Sequence, residues 1–186
     1  MLTKIVDISF FLRYYYFVNK ISKRRRGMYT SLHNHTEASN LKLLDCTIRP
    51  QQLIDKALEY KMNGVAITDH AIIANHVNIV ELREKIAKEH PDFKIILGVE
   101  LYLIAKEDYK STRVFPHFLL LAKDEIGYKQ LRYILSRAWM RAYPSKGQYR
   151  AVNFYEDFEE VIGNEKGHLF ASTACLGGTL DRSILS

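Results

Sequence analysis

The sequence has few cysteines and no long apolar stretch. Only Cys46 and Cys175 occur among its 186 residues, and they form no CxxC pair. This argues against a disulfide framework and favours a reducing, cytoplasmic setting. The apolar residues 5–18 are interrupted by Asp7 and Arg13, and a membrane span needs about 20 consecutive apolar residues. We therefore expect a cytoplasmic protein without a membrane partner.

The chain also has no net charge outside its first 27 residues. Its formal charge of +6 comes from the lysines and arginines before Met28, which are opposed there only by Asp7. The charge therefore gives no indication of a nucleic-acid surface on the remaining chain. We predict that residues 1–27 are a basic, aromatic extension outside the fold, with an amphipathic membrane-surface anchor as the alternative. Residues 28–186 are predicted to form one domain.

Strand and helix patterns alternate after Met28. The predicted strands run through His33 and His35 and over residues 65–68, 94–104, 115–122 and 168–172. The predicted helices cover residues 50–62, 77–90, 126–139 and 153–162, with a loop at 143–150. We expect Asp124 to cap the third helix, and Asn153 with Glu156 to form a capping box for the fourth. The alternation predicts an α/β fold with a parallel sheet and chemistry at the carboxyl ends of its strands.

Residue types that bind metals stand at or near the ends of these strands. His33 and His35 are separated by one residue, and residues i and i+2 of a strand project from the same face. Imidazole is a common ligand of zinc and other borderline ions. The full candidate set is His33, His35, Asp45, His70, Glu100, His117 and Cys175. The pattern predicts that these side chains meet at one metal cluster.

Each member of this set also has a purely structural explanation. A lone buried histidine is more often hydrogen-bonded to the backbone, Asp45 could cap a turn, and Cys175 could be a small buried apolar residue. Glu100 is the hardest to explain this way, because a carboxylate between Val99 and Leu101 needs a cation or donors around it. A shared metal cluster explains all seven residues together.

Four neighbouring polar residues are predicted to play other roles. His76, His90 and His168 lie near a helix start, at a helix end and at a strand start, and we interpret them as structural or solvent-facing. Asp69 is adjacent to His70, and adjacent strand residues face opposite ways. We therefore expect Asp69 to orient the metal ligands from behind rather than to bind an ion.

The chain resembles the polymerase and histidinol phosphatase (PHP) domain, in particular the amino-terminal PHP domain of bacterial C-family DNA polymerase III α subunits. The residues that carry this resemblance span the chain from about Met28 to Gly178. They are His33-Asn34-His35-Thr36, Leu43-Leu44-Asp45, Ile67-Thr68-Asp69-His70, Gly98-Val99-Glu100-Leu101-Tyr102, His117-Phe118-Leu119-Leu120-Leu121-Ala122 and Ser172-Thr173-Ala174-Cys175-Leu176.

The resemblance implies a distorted seven-stranded βα barrel with a site for up to three Zn²⁺, Mn²⁺ or Fe ions. It assigns His33, His35 and Glu100 to one ion. It assigns Glu100, His117 and Cys175 to a second ion, and Asp45 with His70 to a third. The closing Asp-x-His motif of the family does not follow Cys175, so we expect a barrel truncated at its C-terminus.

The implied function is metal-dependent hydrolysis of a phosphodiester. In the polymerase family this activity would be a 3′–5′ proofreading exonuclease. The implied catalytic groups, which act through the metals, are His33, His35, Glu100 and His117. The implied partners are DNA, through the full-length polymerase, and replisome subunits such as the sliding clamp. The alternatives are a free-standing phosphatase of the histidinol phosphatase type and a non-catalytic metal-binding scaffold of the polymerase. The polymerase palm is absent from these residues, so nucleotide transfer is not expected here.

Overall fold

The computed structural model describes residues 29–41, 45–145, 147–175, 178 and 183–184. The predicted N-terminal extension lies outside the described residues. The strands are β1 (Thr30–Ser31), β2 (Gly64–Ile67), β3 (Lys94–Ile104), β4 (His117–Ala122), β5 (Tyr143–Ser145), β6 (Gln148–Arg150), β7 (Val152–Phe154) and β8 (Leu169–Thr173). The helices are α1 (Pro50–Glu59), α2 (His76–Glu89), α3 (Glu125–Met140) and α4 (Tyr155–Ile162), and two 3₁₀ turns occupy Glu37–Leu41 and Lys106–Asp108.

Six strands form a curled sheet in the order β1-β2-β3-β4-β8, with β7 also paired to β3. The predicted α/β class is confirmed, and the order of helices and strands follows the sequence pattern. Within the described part of the chain, no helix is long and apolar enough to cross a membrane.

The long strand β3 organises the sheet, because both of its edges are occupied along most of its length. On one edge β2 pairs with it in parallel, from Gly64 opposite Lys94 to Ile67 opposite Leu97. The same register continues past the end of β2 to an isolated bridge between His70 and Glu100. Further along β3, β7 pairs in parallel with its last three residues. The opposite edge carries β4.

The prediction of a wholly parallel sheet is wrong. Strand β4 runs antiparallel to both β3 and β8. Parallel neighbours need a long crossover connection, usually a helix that covers the sheet, whereas antiparallel neighbours do not. Residues 105–116, which join β3 to β4, contain one short 3₁₀ turn, and the chain therefore returns alongside β3 in the opposite direction.

The two faces of β3 have different environments, as the two-residue period of a strand requires. Val99 and Leu101 are fully buried with Leu120 of β4 against the apolar face of α3, which contributes Leu131 and Ile134. The alternate residues of β3 point to the opposite face. A second apolar cluster joins α1 and α2 to β2, with Ile54, Ala57, Val65, Ile67, Ile79, Ile95 and Leu97 at its centre. Apolar contacts on the outer face thus fix the strands and leave the other face free for polar groups.

Local boundaries differ from the prediction in several places. The predicted loop at 143–150 contains the hairpin formed by β5 and β6, and the fourth strand begins at His117 instead of residue 115. The predicted cap at Asp124 is confirmed, since its side chain accepts a hydrogen bond from Gly127 N at 3.0 Å.

The predicted capping box of Asn153 and Glu156 is wrong. Asn153 belongs to β7, and the carboxylate of Asp157 accepts the Phe154 N–H at 2.9 Å. Asp157 is buried and is paired with Arg141. Since the carboxylate is already fixed by this ion pair, it caps the helix one residue later than the sequence pattern suggests.

His76 is buried at the start of α2, with 1% of its surface exposed, and its Nδ1 lies 3.3 Å from the hydroxyl of Tyr128. Burial lowers the pKa of His76 to about 4, although the charge of Asp69 acts in the opposite direction. The unfolded chain therefore binds a proton at His76 more readily than the folded chain does, and the stability from neutral His76 is lost as the pH falls from 6.5 towards 4.

We expect the free energy of unfolding to drop by roughly 3 kcal/mol over this interval because of His76 alone. Urea unfolding between pH 4 and 7 would measure this loss. In His76→Gln the free energy of unfolding should depend less steeply on pH, because about one proton fewer is taken up on unfolding. The exposed His90 provides the control variant His90→Gln, which should retain the slope. A His76→Gln variant as steep as the wild type would contradict this prediction.

Candidate metal centre

His33 and His35 lie beyond the end of β1, which stops at Ser31. The prediction that they lie on a strand is therefore wrong, but their side chains still point to the same place, with the two Nε2 atoms 3.1 Å apart. Asn34 holds the segment in extended form. Its side-chain Nδ2 donates to Ala66 O at 2.8 Å, and its backbone N–H donates to Thr68 Oγ1 at 3.0 Å.

Glu100 is the centre of the site. Its side chain is 3% exposed and is surrounded by imidazoles. Oε1 lies 3.4 Å from Nε2 of His33 and 3.4 Å from Nδ1 of His117, while Oε2 lies 3.2 Å from Nε2 of His35 and 3.7 Å from Nδ1 of His70. His70 reaches Glu100 through the backbone bridge between the two residues. His117 reaches it because β4 pairs with β3 next to Glu100.

Asp45 and Cys175 complete the cluster at its periphery. Asp45 Oδ2 contacts Nδ1 of His35, on the opposite side of the ring from Glu100. The Sγ of Cys175 lies 3.4 Å from Nδ1 of His117, and Cys175 is exposed. The structure thus brings all seven predicted site residues into one connected group.

The charges of the cluster depend on one another. Burial opposes the ionised form of Glu100, but the hydrogen bonds from His33 and His35 and the nearby imidazoles hold its pKa far below the usual range. Burial also opposes the charged form of His35, yet Glu100 and Asp45 together raise its pKa to about 9. Without an ion, His35 therefore carries a proton at neutral pH and supplies the positive charge that Glu100 requires.

His117 behaves differently from His35. Burial lowers the pKa of His117, and although Glu100 opposes this, His33, His35 and the guanidinium of Arg150 add to the lowering. The ring of His117 is thus favoured in its neutral form, which is the form that binds metals.

Asp69 contacts the segment behind the cluster rather than the cluster itself. It is completely buried, and its carboxylate accepts hydrogen bonds from the backbone N–H of Thr36 at 2.6 Å, the hydroxyl of Thr36 at 2.7 Å and the hydroxyl of Ser39 at 2.8 Å. The hydroxyl of Ser39 in turn accepts the His70 N–H at 3.1 Å. These bonds tie the residues after His35 to the backbone of His70.

The three histidines predicted to be structural or solvent-facing lie away from the cluster. His76 is buried against Tyr128, His90 is exposed at the end of α2, and His168 pairs with Asp124 at 2.8 Å. Tyr102 was not among the predicted site residues, yet its ring lies 4.8 Å from that of His70 and 5.1 Å from that of His117. Its position two residues after Glu100 on the same strand was a usable signal.

The donor set matches the chemistry of a divalent metal site. His33, His35 and Glu100 each offer one ligand atom, and these atoms lie within 4.8 Å of one another. Several imidazoles around a carboxylate, with a thiol and a second carboxylate at the edge, are donor groups that divalent metal ions bind in proteins.

Comparison with known families identifies the fold. Residues 31–186 match the family model of the PHP domain. The chain belongs to the PHP domain family. This PHP domain is 36% identical over 162 residues to a DNA-directed DNA polymerase of Bacillus phage SPbeta, covering 82% of this chain and 12% of the phage protein. It is 29% identical over 166 residues to the DNA polymerase III subunit alpha of Borreliella burgdorferi, covering 87% of this chain and 13% of that protein.

The PHP domain therefore spans about an eighth of the length of these curated relatives. Among solved structures, a Bifidobacterium adolescentis protein described as a metal-dependent phosphoesterase aligns with a TM-score of 0.41 and 24% identity. The alignment covers 62% of this chain and 36% of that one.

We expect Asp69→Asn to lower the free energy of unfolding by about 2 to 3 kcal/mol, because an amide replaces a buried carboxylate oxygen with a donor that faces other donors. Urea denaturation would measure the loss. Asp55→Asn is the matched control, since Asp55 is an exposed helix residue that accepts one bond from Gln51, and it should change stability by less than about 0.5 kcal/mol. Equal effects of the two substitutions would show that the Asp69 network does not hold the segment after His35.

Proposed function

We propose that this PHP domain is the metal-dependent phosphoesterase module of a DNA polymerase III α subunit and acts as a 3′–5′ exonuclease on DNA. The observation that carries the proposal is the buried carboxylate of Glu100 with four imidazoles within 3.7 Å. A carboxylate in this position is suited to bridge cations, and the exposure of His33 and Asp45 leaves one side of the cluster open to a substrate.

We propose the ligand assignment that the resemblance to the PHP domain implies. His33, His35 and Glu100 would hold one ion, and Glu100, His117 and Cys175 a second. Asp45 and His70 flank His35 and Glu100, respectively, and would serve a third ion. Zn²⁺ and Mn²⁺, with Fe²⁺ as a further option, fit this donor set. The bound ions would acidify a water molecule and neutralise phosphate oxygens.

The residues of the chain prepare this site in three ways. Glu100 would bind two of the ions, because its Oε1 lies near His33 and His117 and its Oε2 lies near His35 and His70. Asp45 contacts Nδ1 of His35 and thereby leaves Nε2 free to face the site. Asp69 positions the backbone of the segment that follows His35.

The polymerase relatives favour DNA as the substrate. Both polymerases named above align with this PHP domain over more than four-fifths of its length. In this proposal, the full-length protein is cytoplasmic. Its other regions bind the DNA and contact replisome subunits such as the sliding clamp. The proofreading role follows from the combination of a phosphodiesterase site with a polymerase.

Two alternatives remain distinct from this proposal. A free-standing phosphatase of the histidinol phosphatase type would use the same metals on a small monoester. A non-catalytic scaffold would keep the metals without hydrolysis, or keep the fold without metals.

We expect the chain to retain divalent metal after dialysis, and His35→Ala or Glu100→Gln to reduce the bound metal at least tenfold, since each removes a central donor. Metal content by plasma mass spectrometry would measure this. His90→Ala and Glu89→Gln are the matched controls, because both residues are exposed at the end of α2, and both variants should retain the metal. Metal content that stays equal in the wild type and both site variants would reject the metal centre.

We further expect the metal-loaded protein to release nucleotides from the 3′ end of single-stranded DNA more than a hundredfold faster than it hydrolyses histidinol phosphate, with both activities abolished by Glu100→Gln. Gel analysis of 5′-labelled DNA and release of phosphate would measure the two rates. Faster hydrolysis of the monoester would favour the free-standing phosphatase. Metal binding without hydrolysis of either substrate would favour the scaffold.

A further inference from the structure

Arg150 lies one aromatic ring away from the metal centre. It is the last residue of β6, and one residue separates it from β7, which pairs with β3 from Tyr102 onward. Its Nη1 donates to the hydroxyl of Tyr102 at 2.8 Å, and its Cζ lies 5.4 Å from the centroid of the Tyr102 ring. The same ring contacts His70 and His117. The guanidinium is therefore fixed beside the cluster without being part of it.

Phe115 holds the guanidinium in place as well. The Cζ of Arg150 lies 4.9 Å from the centroid of Phe115, and the rings of Phe115 and Tyr102 are 5.5 Å apart. Two aromatic rings and one hydroxyl thus fix the side chain of Arg150 and remove part of its hydration. A flexible surface arginine has no comparable restraint.

The charge of Arg150 has no acidic partner among the described residues, where no carboxylate oxygen lies within 4.0 Å of its nitrogens. Its Nε is buried and makes no hydrogen bond within that part of the chain. Arg137 of α3 and Arg141 at the C-cap of that helix behave differently, since both pair with Asp157. Arg150 is therefore a restrained cation that the described part of the protein does not neutralise.

A guanidinium cannot lose its proton in a protein, so a partly buried one is stabilised by an anion. Its planar fork of donors matches the oxygens of phosphate. The one carboxylate of β3, that of Glu100, already contacts imidazoles. The anion that fits the position is one that arrives with the substrate.

We propose that Arg150 is a substrate-binding residue that contacts a phosphate oxygen of a single-stranded phosphodiester chain beside the metal centre. This inference rests on the proposed function, since it assigns the substrate contact of the same site. Tyr102 and Phe115 act as positioning residues for the guanidinium. The contacted phosphate is either the one being cleaved or its neighbour along the strand, and both present the same oxygens.

The test measures binding of fluorescein-labelled hexadeoxythymidine to the chain by anisotropy, in EDTA and separately with Mn²⁺. Arg150→Met should weaken binding about tenfold in both conditions, as expected for the loss of a charge-assisted contact. Arg150→Lys, which keeps the charge but loses the fork, should fall between the wild type and Arg150→Met. If Arg150→Met fails to fold by circular dichroism, Tyr102→Phe removes the hydroxyl contact and should weaken binding severalfold.

Arg132→Met is the matched control, because Arg132 also lies over a tyrosine ring, that of Tyr128 at 5.9 Å, but on the exposed side of α3. It should leave binding unchanged. Competition by bis(4-nitrophenyl) phosphate, which carries a single phosphate, identifies the contact. If Arg150→Met weakens competition by bis(4-nitrophenyl) phosphate, Arg150 contacts the phosphate that is cleaved. If Arg150→Met weakens binding of hexadeoxythymidine alone, Arg150 contacts the neighbouring phosphate.

The inference is overturned if Arg150→Met binds both probes as the wild type does, if Arg132→Met weakens binding equally, or if the wild-type chain binds neither probe. These outcomes are separate from the failure of the proposed function. Loss of the metal centre would appear as an absence of bound metal, whereas the contact of Arg150 is judged in EDTA as well.

Discussion

The structure depends on how the buried negative charge of Glu100 is balanced. A carboxylate with 3% of its side chain exposed is stable only if cations or donors replace its lost hydration. In the described part of the chain this role falls to imidazoles, with hydrogen bonds from His33 and His35. The pKa of His35 rises to about 9. A protonated imidazole and a metal ion satisfy the same requirement. A metal ion that displaces this proton would therefore still compensate the negative charge of Glu100.

Strand β3 places this charge without disturbing the core. The two-residue period sends Val99 and Leu101 into the apolar cluster beneath α3, while Glu100 and Tyr102 face the other side. The same strand receives His70 at one edge and His117 at the other, because both edges are paired around Glu100. Apolar packing on one face thus gives the rigidity that converging donors require on the other.

The sequence predicted the α/β class and most of the helices from local periodicity. It predicted the seven residues of the cluster from their metal-binding side chains and from the resemblance to the PHP domain. The direction of β4 was not predictable from the pattern of apolar residues, which does not distinguish parallel from antiparallel pairing. The hairpin of β5 and β6 was missed because its strands have three residues each. Arg150 was missed for a different reason, since its position beside Tyr102 arises only from contacts between residues far apart in the sequence.

The outer ligands of the site are not positioned by the strands. His33, His35 and Asp45 all lie in segments without strand pairing, so the sheet alone cannot fix them. Asn34 replaces the missing ladder by bonding to Ser31 O and Ala66 O, and Asp69 fixes the following turn through Thr36 and Ser39. A buried carboxylate that accepts three hydrogen bonds resists displacement, because any shift leaves a charge without donors. The precision of the site therefore depends on two polar side chains that bind no metal in this assignment, and the apolar core supports them from the other side of the sheet.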